Sequence, residues 1–506
     1  MESSKSPRAW ALASALVLAV LSGAATPADA GATKDASLEE ALSGFGDSTN
    51  GEQGGDTSLD DALSGFDDTA GGKTPTMSEP EEDDKASPPW LELTGAVTVS
   101  SSYNYAHKAP EADRTDYRGL SRLRGRLDLK LDADLAAGWK ARLGASGYHD
   151  LAYQINGRDN YTTETLDEYE SEARLKEAYI LGSPLDSVDI KIGRQIVAWG
   201  RSDNIRVTDV LNPMDVREPG MVDIEDIREP LTMTRLDWYF GDWSVTGIAI
   251  HEIKFNFMPP YGSEFYPLTT PMPREEIPAS TAQNTEYGLE LAGIFPGFDI
   301  SFYLADFYDD NFSLRSMPMV MAQPQVYPPP EGSVPFILVH DRLKMAGMAM
   351  NKSLGNFMVK MEAAWLDGFT FPQTGEKKFQ RYDGLLGVEY TGYTETVISW
   401  EIAARHIPEH VAAIADAPLG VDPTVWQMAL RYSQDFMHQT LHLQALVSVT
   451  GLDAAGGAFE RVQLKYDIMD SMSTTVGVVA FQAGESAFFL NAGNNDRAFL
   501  EVKYSF

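Results

Sequence analysis

The sequence predicts an all-β fold, a transmembrane antiparallel β-barrel of about 18 strands with a disordered acidic arm before it. Three observations lead to this prediction. The chain ends on a strand in which polar residues alternate with the apolar residues Leu500, Val502, Tyr504 and Phe506. Several longer segments alternate charged with apolar residues in the same way. After residue 30, no apolar run reaches the roughly 20 residues that a membrane-spanning helix needs.

The first 30 residues have the features of a cleaved secretory signal. Lys5 and Arg8 precede the apolar segment 10–21, and a small-residue cleavage site follows at 28–30. A retained membrane anchor is the alternative, but the apolar segment is short for one. The chain contains no cysteine. This exported protein therefore has neither disulfides nor a lipid-modified cysteine, and its stability must come from hydrogen-bonded strands.

Residues 31–88 are rich in Gly, Ser, Thr, Asp and Glu, a composition that predicts a disordered arm in the periplasm. A nine-residue segment occurs twice in this arm, at 37–45 and at 58–66. Each copy has a Ser N-cap, acidic residues in the first turn and a Gly near its end, which favours a short amphipathic helix that folds on a partner protein. A duplication without function is the alternative. The apolar docking positions are Leu38, Leu42, Phe45, Leu59, Leu63 and Phe66.

Residues 89–506 form the predicted barrel. Between 122 and 135, for example, Leu, Gly and Ala alternate with Arg, Lys and Asp, which makes one face too charged for the core of a soluble sandwich. We place strands near 90–105, 119–135, 139–152, 171–182, 187–199, 230–240, 243–255, 284–295, 298–308, 341–354, 357–369, 381–392, 396–407, 423–435, 440–451, 458–469, 473–483 and 497–506. A barrel of about 16 strands is the nearest alternative, and a periplasmic sandwich or solenoid is the other all-β possibility.

The turns and the C-terminus predict how the barrel sits in the membrane. Tight turns are expected at 136–138, 241–242, 295–297, 354–356, 392–393 and 470–471, with longer connections elsewhere. Short turns and both termini on one rim indicate an outer-membrane barrel whose short-turn side faces the periplasm. Tyr504 and the terminal Phe506 resemble the signal that the bacterial barrel-assembly machinery reads. The predicted partners are therefore this machinery during biogenesis and the lipids of the bacterial outer membrane.

One loop differs from the others. A strand runs through Gly193, Arg194 and Gln195 and then enters a long segment with Trp199-Gly200 and Asn212-Pro213-x-Asp215. The segment is rich in both charged and apolar residues, so we expect it to fold back into the lumen and to form a constriction. An ordinary exposed loop is the alternative.

Charged residues on the predicted inward faces are candidates for lining the lumen. Basic residues cluster on the early strands and acidic residues on the later ones. Opposed charges would set a field across a pore, whereas neutralised pairs would hold a plugged lumen rigid. The lumen-lining and constriction candidates are Arg122, Arg124, Arg126, Arg142, Arg174, Arg194, Arg201, Asp203, Glu286, Glu290 and Glu362, and Lys140, Lys176, Glu389 and Glu401 accompany them.

No catalytic or metal-binding pattern occurs in the sequence, and no cofactor is expected. The eight histidines lack metal-ligand spacing, and there is no nucleophile elbow of the G-x-S-x-G type. The 74 acidic residues against 40 basic ones argue against a nucleic-acid partner. We therefore predict that the protein is not an enzyme, and an outer-membrane hydrolase with a Ser/His/acid cluster assembled across strands is the remaining enzymatic alternative.

The combination of Gly193-Arg194-Gln195, Trp199-Gly200, Asn212-Pro213-x-Asp215, the acidic arm and Phe506 resembles a family of large proteobacterial outer-membrane proteins catalogued as a domain of unknown function. Arg201-Ser202 departs from the family pattern. The resemblance implies an outer-membrane barrel associated with resistance-nodulation-division exporters of lipids or other apolar molecules. Our hypothesis is a porin-like channel or transporter for a small or amphipathic solute, with the arm docking a periplasmic or export-system protein. The alternative is a non-conducting docking or structural component of an export system for lipids or hydrophobic compounds.

Overall fold

A computed structural model describes residues 90–110, 114–222, 227–316, 336–417 and 420–506. In these residues, eighteen strands form one antiparallel sheet that closes on itself. The predicted fold class, a barrel of about 18 strands, is confirmed. The predicted signal peptide and acidic arm lie outside the described residues, so their boundaries stay predictions.

The strands of the barrel wall have the following bounds: β1 (Leu91–Asn104), β2 (Gly119–Asp134), β3 (Lys140–Asp150), β4 (Ser171–Leu185), β5 (Val188–Gln195), β6 (Leu231–Phe240), β7 (Trp243–Ile250), β9 (Glu286–Phe295), β10 (Phe298–Tyr308), β13 (Arg342–Leu354), β14 (Phe357–Phe369), β15 (Phe379–Tyr393), β16 (Thr396–His406), β17 (Thr424–Phe436), β18 (Leu441–Thr450), β19 (Gly457–Met469), β20 (Met472–Gln482) and β21 (Arg497–Ser505). Three shorter strands, β8 (Glu275–Glu276), β11 (Ser313–Ser316) and β12 (Phe336–Val339), form a separate small sheet in the loops.

Among the residues that the structure describes, helices are few and short. The α-helices are Ala152–Asn156, Thr163–Tyr169 and Ala412–Ala415, and the 3₁₀ turns are Ala136–Gly138, Arg158–Asn160 and Ala492–Asn494. Within the part of the chain that the structure describes, none of the helices has the length and apolar character needed to cross a bilayer.

Each wall strand pairs with its neighbours in the chain, and the first strand pairs with the last. Ala96 lies opposite Ser505 and Asn104 opposite Arg497, so β1 and β21 close the cylinder. Backbone hydrogen bonds between Gly95 and Phe506 extend this seam to the last residue. Closure satisfies the backbone groups of both edge strands, which would otherwise be exposed to lipid.

Three predicted boundaries need correction. The turn expected at 392–393 lies two residues further along, because Tyr393 still pairs with Thr396. The strands predicted at 187–199 and 243–255 end at Gln195 and Ile250. In both cases the chain leaves the wall there and enters a loop, and that loop continues the apolar pattern of the strand.

The two faces of the wall have different environments. On β10, for example, Phe302 and Leu304 point outward and are 43% and 56% exposed, whereas Ser301, Tyr303 and Phe307 point inward and are buried. Alternation of this kind presents apolar side chains to lipid. The inward side chains of β10 are nevertheless buried, so something inside the barrel covers them.

Candidate functional site

The loop between β5 and β6, here called the crossing loop, enters the lumen with its described residues 196–222 and 227–230. Its first part packs against the inner faces of β6, β7, β10 and β13 to β16, and the Trp199 ring centroid lies 4.8 Å from that of Tyr303. Apolar contacts of this extent hold the loop against one side of the wall. The buried apolar residues of this segment are Val197, Trp199, Ile205, Val207 and Leu211.

Two inward carboxylates of the wall bind the backbone of this loop. Glu362 on β14 accepts hydrogen bonds from the N–H groups of Arg201 at 2.6 Å, Ser202 at 2.8 Å and Thr208 at 3.0 Å. Glu401 on β16 accepts from the N–H groups of Asp203 at 2.8 Å and Asn204 at 3.0 Å and from the Ser202 hydroxyl at 2.8 Å. Buried N–H groups need such partners because water does not reach them. The two carboxylates therefore determine where the loop runs.

The charged side chains of this part of the loop reach the wall near the rim that carries the short turns β9–β10 and β13–β14. Arg201 donates through Nε to Asp299 at 2.5 Å and through Nη2 to Ser301 at 3.0 Å. Lys360 on β14 binds Asp203 at 2.5 Å and Glu389 at 3.2 Å. Of the predicted candidates, Arg201 therefore contacts Glu362 directly, and Asp203 contacts Lys360 and Glu401 beside them.

Three residues of the sequence motif, Gln195, Gly200 and Asn212, support the loop and do not line the cavity. The Asn212 amide accepts from the N–H of Val197 at 2.9 Å and donates to the carbonyl of Glu229 at 2.8 Å, which joins the two ends of the loop. Gly200 has φ +87°, and a Cβ there would lie 2.7 Å from Glu362 Oε1. Gln195 is fully buried and donates to backbone carbonyls.

Beyond Asn212 the loop crosses to the opposite side of the barrel. Asp215 receives the guanidinium groups of Arg174 and Arg217, at 3.2 Å and 2.6 Å. Burial works to raise the pKa of the Asp215 carboxyl, but the hydrogen bonds and charge of Arg217 outweigh it and hold the pKa below its ordinary value. Arg174 also binds Glu229 at 2.8 Å. This ion-pair network fixes the middle of the crossing segment.

The crossing ends on β2 and β19. Glu218 binds Arg122 and Arg124 of β2, the latter at 3.2 Å. Burial works to raise the pKa of Glu218, but the two guanidinium groups overcome this and keep it well below the usual range. Gly220 lies so close to Phe459 of β19 that a Cβ would meet its ring at 2.9 Å. The loop therefore touches both sides of the bore.

A second loop, residues 251–285, covers part of the bore at the rim opposite the short turns. Glu264 binds Arg497 of β21 at 2.9 Å and accepts from the Asn104 amide of β1 at 2.7 Å. Phe265 packs against Phe481 of β20, with ring centroids 5.4 Å apart. Burial would raise the pKa of Glu264, but the charge of Arg497 and the neighbouring His107 lower it to about 2.

Between the crossing loop and the wall from β15 to β19 lies a cavity of about 610 Å³. Its lining combines charged residues with apolar ones, and it is within the size range of sites for small organic molecules. The charged lining residues include Arg206, Asp209, Asp310, Arg381, Asp383, Arg405 and Arg431. The apolar lining residues include Val425, Leu446, Phe459, Phe488 and Phe489.

Other predicted candidates lie away from the crossing. Arg126 and Arg142 are partly exposed on the inner wall and pair with Asp128 at 2.7 Å and Asp132 at 2.7 Å. Glu286 and Glu290 lie on the inner face of β9, and Glu286 accepts from the N–H of Tyr308 at 2.7 Å. Tyr504 and Phe506 point outward and are about half exposed. The predicted docking positions of the arm lie outside the described residues.

The prediction that Arg194 lines the lumen is wrong. Arg194 shares the outward face of β5 with Ile192, which is 44% exposed, and it lies opposite Thr232 of β6. Its guanidinium binds Glu252 at 2.6 Å outside the bore. The alternation of β5 puts Gly193 and Gln195 inward, and Arg194 between them must point outward.

Sequence reasoning did not single out Glu218, Arg405 or Arg431. Arg405 and Arg431 occupy inward positions of predicted strands, so the alternation that selected the other wall residues could have found them. Glu218 lies in a loop and meets Arg124 across 94 residues of sequence. No local signal marks such a contact.

With the geometry described, the chain can be compared with known proteins. The profile of a family described as a protein of unknown function (DUF1302) matches residues 10–506. The chain belongs to this family. The resemblance noted in the sequence is thereby confirmed. None of the curated proteins compared with the DUF1302 chain matches it.

Several solved structures are similar to the DUF1302 barrel in fold alone. OccAB2 of Acinetobacter baumannii has a TM-score of 0.46 and 10% identity, and the match covers 82% of this chain and 97% of that chain. OpdK of Pseudomonas aeruginosa with vanillate has a TM-score of 0.46 and 8% identity, covering 82% and 98%. A BenF-like porin from Pseudomonas fluorescens Pf-5 has a TM-score of 0.47 and 8% identity, with coverage of 82% and 98%.

Proposed function

We propose that this protein is a porin-like channel or transporter of the bacterial outer membrane that carries a small or amphipathic solute. The observation that supports the proposal is the loop between β5 and β6, which crosses the lumen from β14 and β16 to β2 and β19 and leaves a cavity of about 610 Å³ beside it. A wall that only anchors a partner needs no internal cavity. A constriction with a mixed polar and apolar lining can select solutes.

The orientation follows from the connections. The hairpins β2–β3, β6–β7, β9–β10, β13–β14 and β19–β20 have short turns on the rim from which β1 starts. In outer-membrane barrels this rim faces the periplasm. The arm, residues 31–88, would then extend into the periplasm, where its repeated motif docks a periplasmic or export-system protein.

Single-channel conductance of the refolded protein in planar bilayers tests the proposal. Residues 216–222 of the crossing segment are replaced by a short Gly-Ser linker, which removes Glu218 and Gly220 from the bore. We expect conductance in the native protein and a higher conductance in the variant. The control is a linker of the same length in place of residues 372–378, none of which lines the cavity.

Unchanged conductance in the crossing-segment variant would contradict a constriction by this loop. If neither the native protein nor the variant conducts, the alternative is favoured, namely a non-conducting docking or structural component of an export system for lipids or hydrophobic compounds. A conducting native protein would contradict that alternative.

A further inference from the structure

The positive charges on one side of the cavity exceed the negative charges available to them. Six residues of β15, β16 and β17 line the cavity, and three of these are arginines, whereas one is a carboxylate. That carboxylate, Asp383, forms two hydrogen bonds of 2.8 Å with Arg381. Arg405 reaches the same carboxylate only at 3.7 Å. One aspartate thus faces two guanidinium groups.

Arg405 and Arg431 otherwise have neutral partners. Arg405 donates to the Gln427 side chain and, at 2.9 Å, to the carbonyl of Arg206. In the amide orientation that satisfies its neighbours, the Gln444 oxygen accepts from Arg431 Nε at 3.0 Å and from Nη2 at 2.5 Å. Among the described residues, Arg431 forms no ion pair. A guanidinium withdrawn from bulk water is stabilised far better by an anion than by an amide.

The other acidic residues of the cavity lining do not pair with Arg405 or Arg431. Asp203, Asp209, Asp215 and Glu218 bind other cationic side chains. Asp309 and Asp310 follow β10, outside the wall strands. Burial raises the pKa of both carboxyl groups above their ordinary value. The neighbouring guanidinium groups of Arg381 and Arg206 oppose this shift without cancelling it. Among the described residues, neither carboxyl group forms an ion pair with Arg405 or Arg431.

Apolar surface begins directly beside the two guanidinium groups. Arg405 lies opposite Val425 in the strand register, and Arg431 lies opposite Leu446. The apolar lining continues to Phe459 on β19 and to Phe488 and Phe489 in the loop that follows β20. A molecule whose charged group reaches the arginines would place the rest of its length along these side chains.

We propose that this cavity binds a solute with an anionic head group and an apolar body. The head lies at Arg431, and the body lies against Leu446, Phe459 and Phe489. Arg405 lies six register positions away on the same inner wall, roughly 20 Å along the strands, and adds to the positive charge of the cavity. The inference rests on the proposed function, because it names the class of solute that the channel takes. An anionic head removes the charge excess of the wall, and the body replaces water on apolar side chains.

The test compares three probes with the same eight-carbon body, which are octanoate, octylammonium and octanol. Their equilibrium binding to the full chain in lipid nanodiscs is measured with radiolabelled compounds, and empty nanodiscs correct for partition into lipid. We expect saturable binding of octanoate alone. The double variant R405Q/R431Q should weaken octanoate binding by at least about tenfold, and R405K/R431K should retain more of it.

The control variant is K465Q, which removes a positive charge from the inner face of β19 outside the cavity. It should bind octanoate like the native protein. Migration of the folded barrel in unheated detergent gels shows that each variant has folded. Saturable binding of octanol or octylammonium, or equal octanoate binding by R405Q/R431Q, would overturn the proposal.

Binding and conductance separate this inference from the function on which it rests. A protein that conducts but binds no octanoate contradicts the assignment of the solute class and agrees with the proposed channel function. A protein that binds octanoate but does not conduct contradicts the channel and leaves the cavity as an anion-selective site.

Discussion

At the residue scale, the path of the crossing loop depends on contacts between parts of the chain that are far apart in sequence. Thr208 is 154 residues from Glu362, and Ser202 is 199 residues from Glu401. The alternation along the strands places both carboxylates on the inward face and thus made them candidates. It cannot show which loop amide each of them meets, because that depends on how the whole wall curves.

The substitution E362Q tests the role of the first of these carboxylates. A Gln side chain has one acceptor oxygen and one NH₂ donor, and the donor would face the N–H groups that Glu362 now binds. We expect docking of the loop to weaken by about 2 kcal/mol, and the open-channel current to become larger and noisier. Single-channel recording measures both.

E389Q is the matched control, because Glu389 lies on the same inner wall but binds Lys360 instead of the loop backbone. Its current should stay closer to that of the native protein. Equal currents in E362Q and the native protein would show that the carboxylate does not hold the loop.

The pair of Glu264 and Arg497 predicts a dependence on pH. The pKa of Glu264 is lowered from 4.5 to about 2, so the pair stabilises the docked loop fully above pH 4.5. This stabilisation is lost as the pH falls toward about 2. We expect a constant current from neutral pH down to pH 4.5 and a change of the current as the pH falls from 4.5 toward about 2. E264Q should lack this acid transition, and an identical transition in E264Q would assign it to other groups.

At the element scale, the sequence determines the wall more completely than the loops. Each wall strand can be recognised from its own residues, because one face must be apolar and the other polar along the whole length of the strand. The ends of β5 and β7 were predicted four and five residues too late, at 199 and 255 instead of Gln195 and Ile250. There the apolar pattern continues into loops with buried apolar residues, Val197 and Trp199 after β5 and Ile253 and Phe255 after β7. Alternation cannot distinguish such a loop from a wall strand.

The terminal strand β21 gives a prediction about assembly. Phe506 is 52% exposed on the outward face, its backbone hydrogen-bonds to Gly95, and one edge of its ring lies over Gly95. The substitution F506A should therefore lower the stability of the folded barrel only slightly. If the terminal side chain is a recognition signal, F506A should lower the yield of assembled protein in the outer membrane by several-fold. Quantitative immunoblots of outer-membrane fractions measure the yield, and refolding in detergent measures the intrinsic stability.

Y466A is the control for this experiment. Tyr466 is an outward aromatic residue, 42% exposed, near the same rim on β19. Equal yields of F506A and Y466A would show that any outward aromatic at this rim has the same effect, and a selective loss of refolding in F506A would indicate a structural role instead.

At the scale of the whole molecule, the lumen is divided into two halves of different character. One half, from β6 to β16, is filled by the first part of the crossing loop and is largely apolar. The other half keeps partly exposed charged side chains on the inner wall, for example Arg126, Lys130 and Lys465. A solute that moves through the protein would follow this second half and pass the cavity where the two halves meet.

Closure of the barrel predicts that the arm is dispensable for conduction. The seam between β1 and β21 uses residues 96–104 and 497–505, so a chain that lacks 31–88 keeps every strand of the wall. We expect it to refold and to conduct like the full chain, with conductance unchanged within about a tenth, while the docking of a periplasmic partner is lost.

A deletion of 91–104 is the matched control, since it removes β1 and leaves β2 and β21 with unpaired edges that lipid cannot satisfy. That variant should not form a heat-resistant barrel. Loss of conductance on removal of the arm alone would mean that the arm is part of the channel and would contradict its assignment as a separate docking segment.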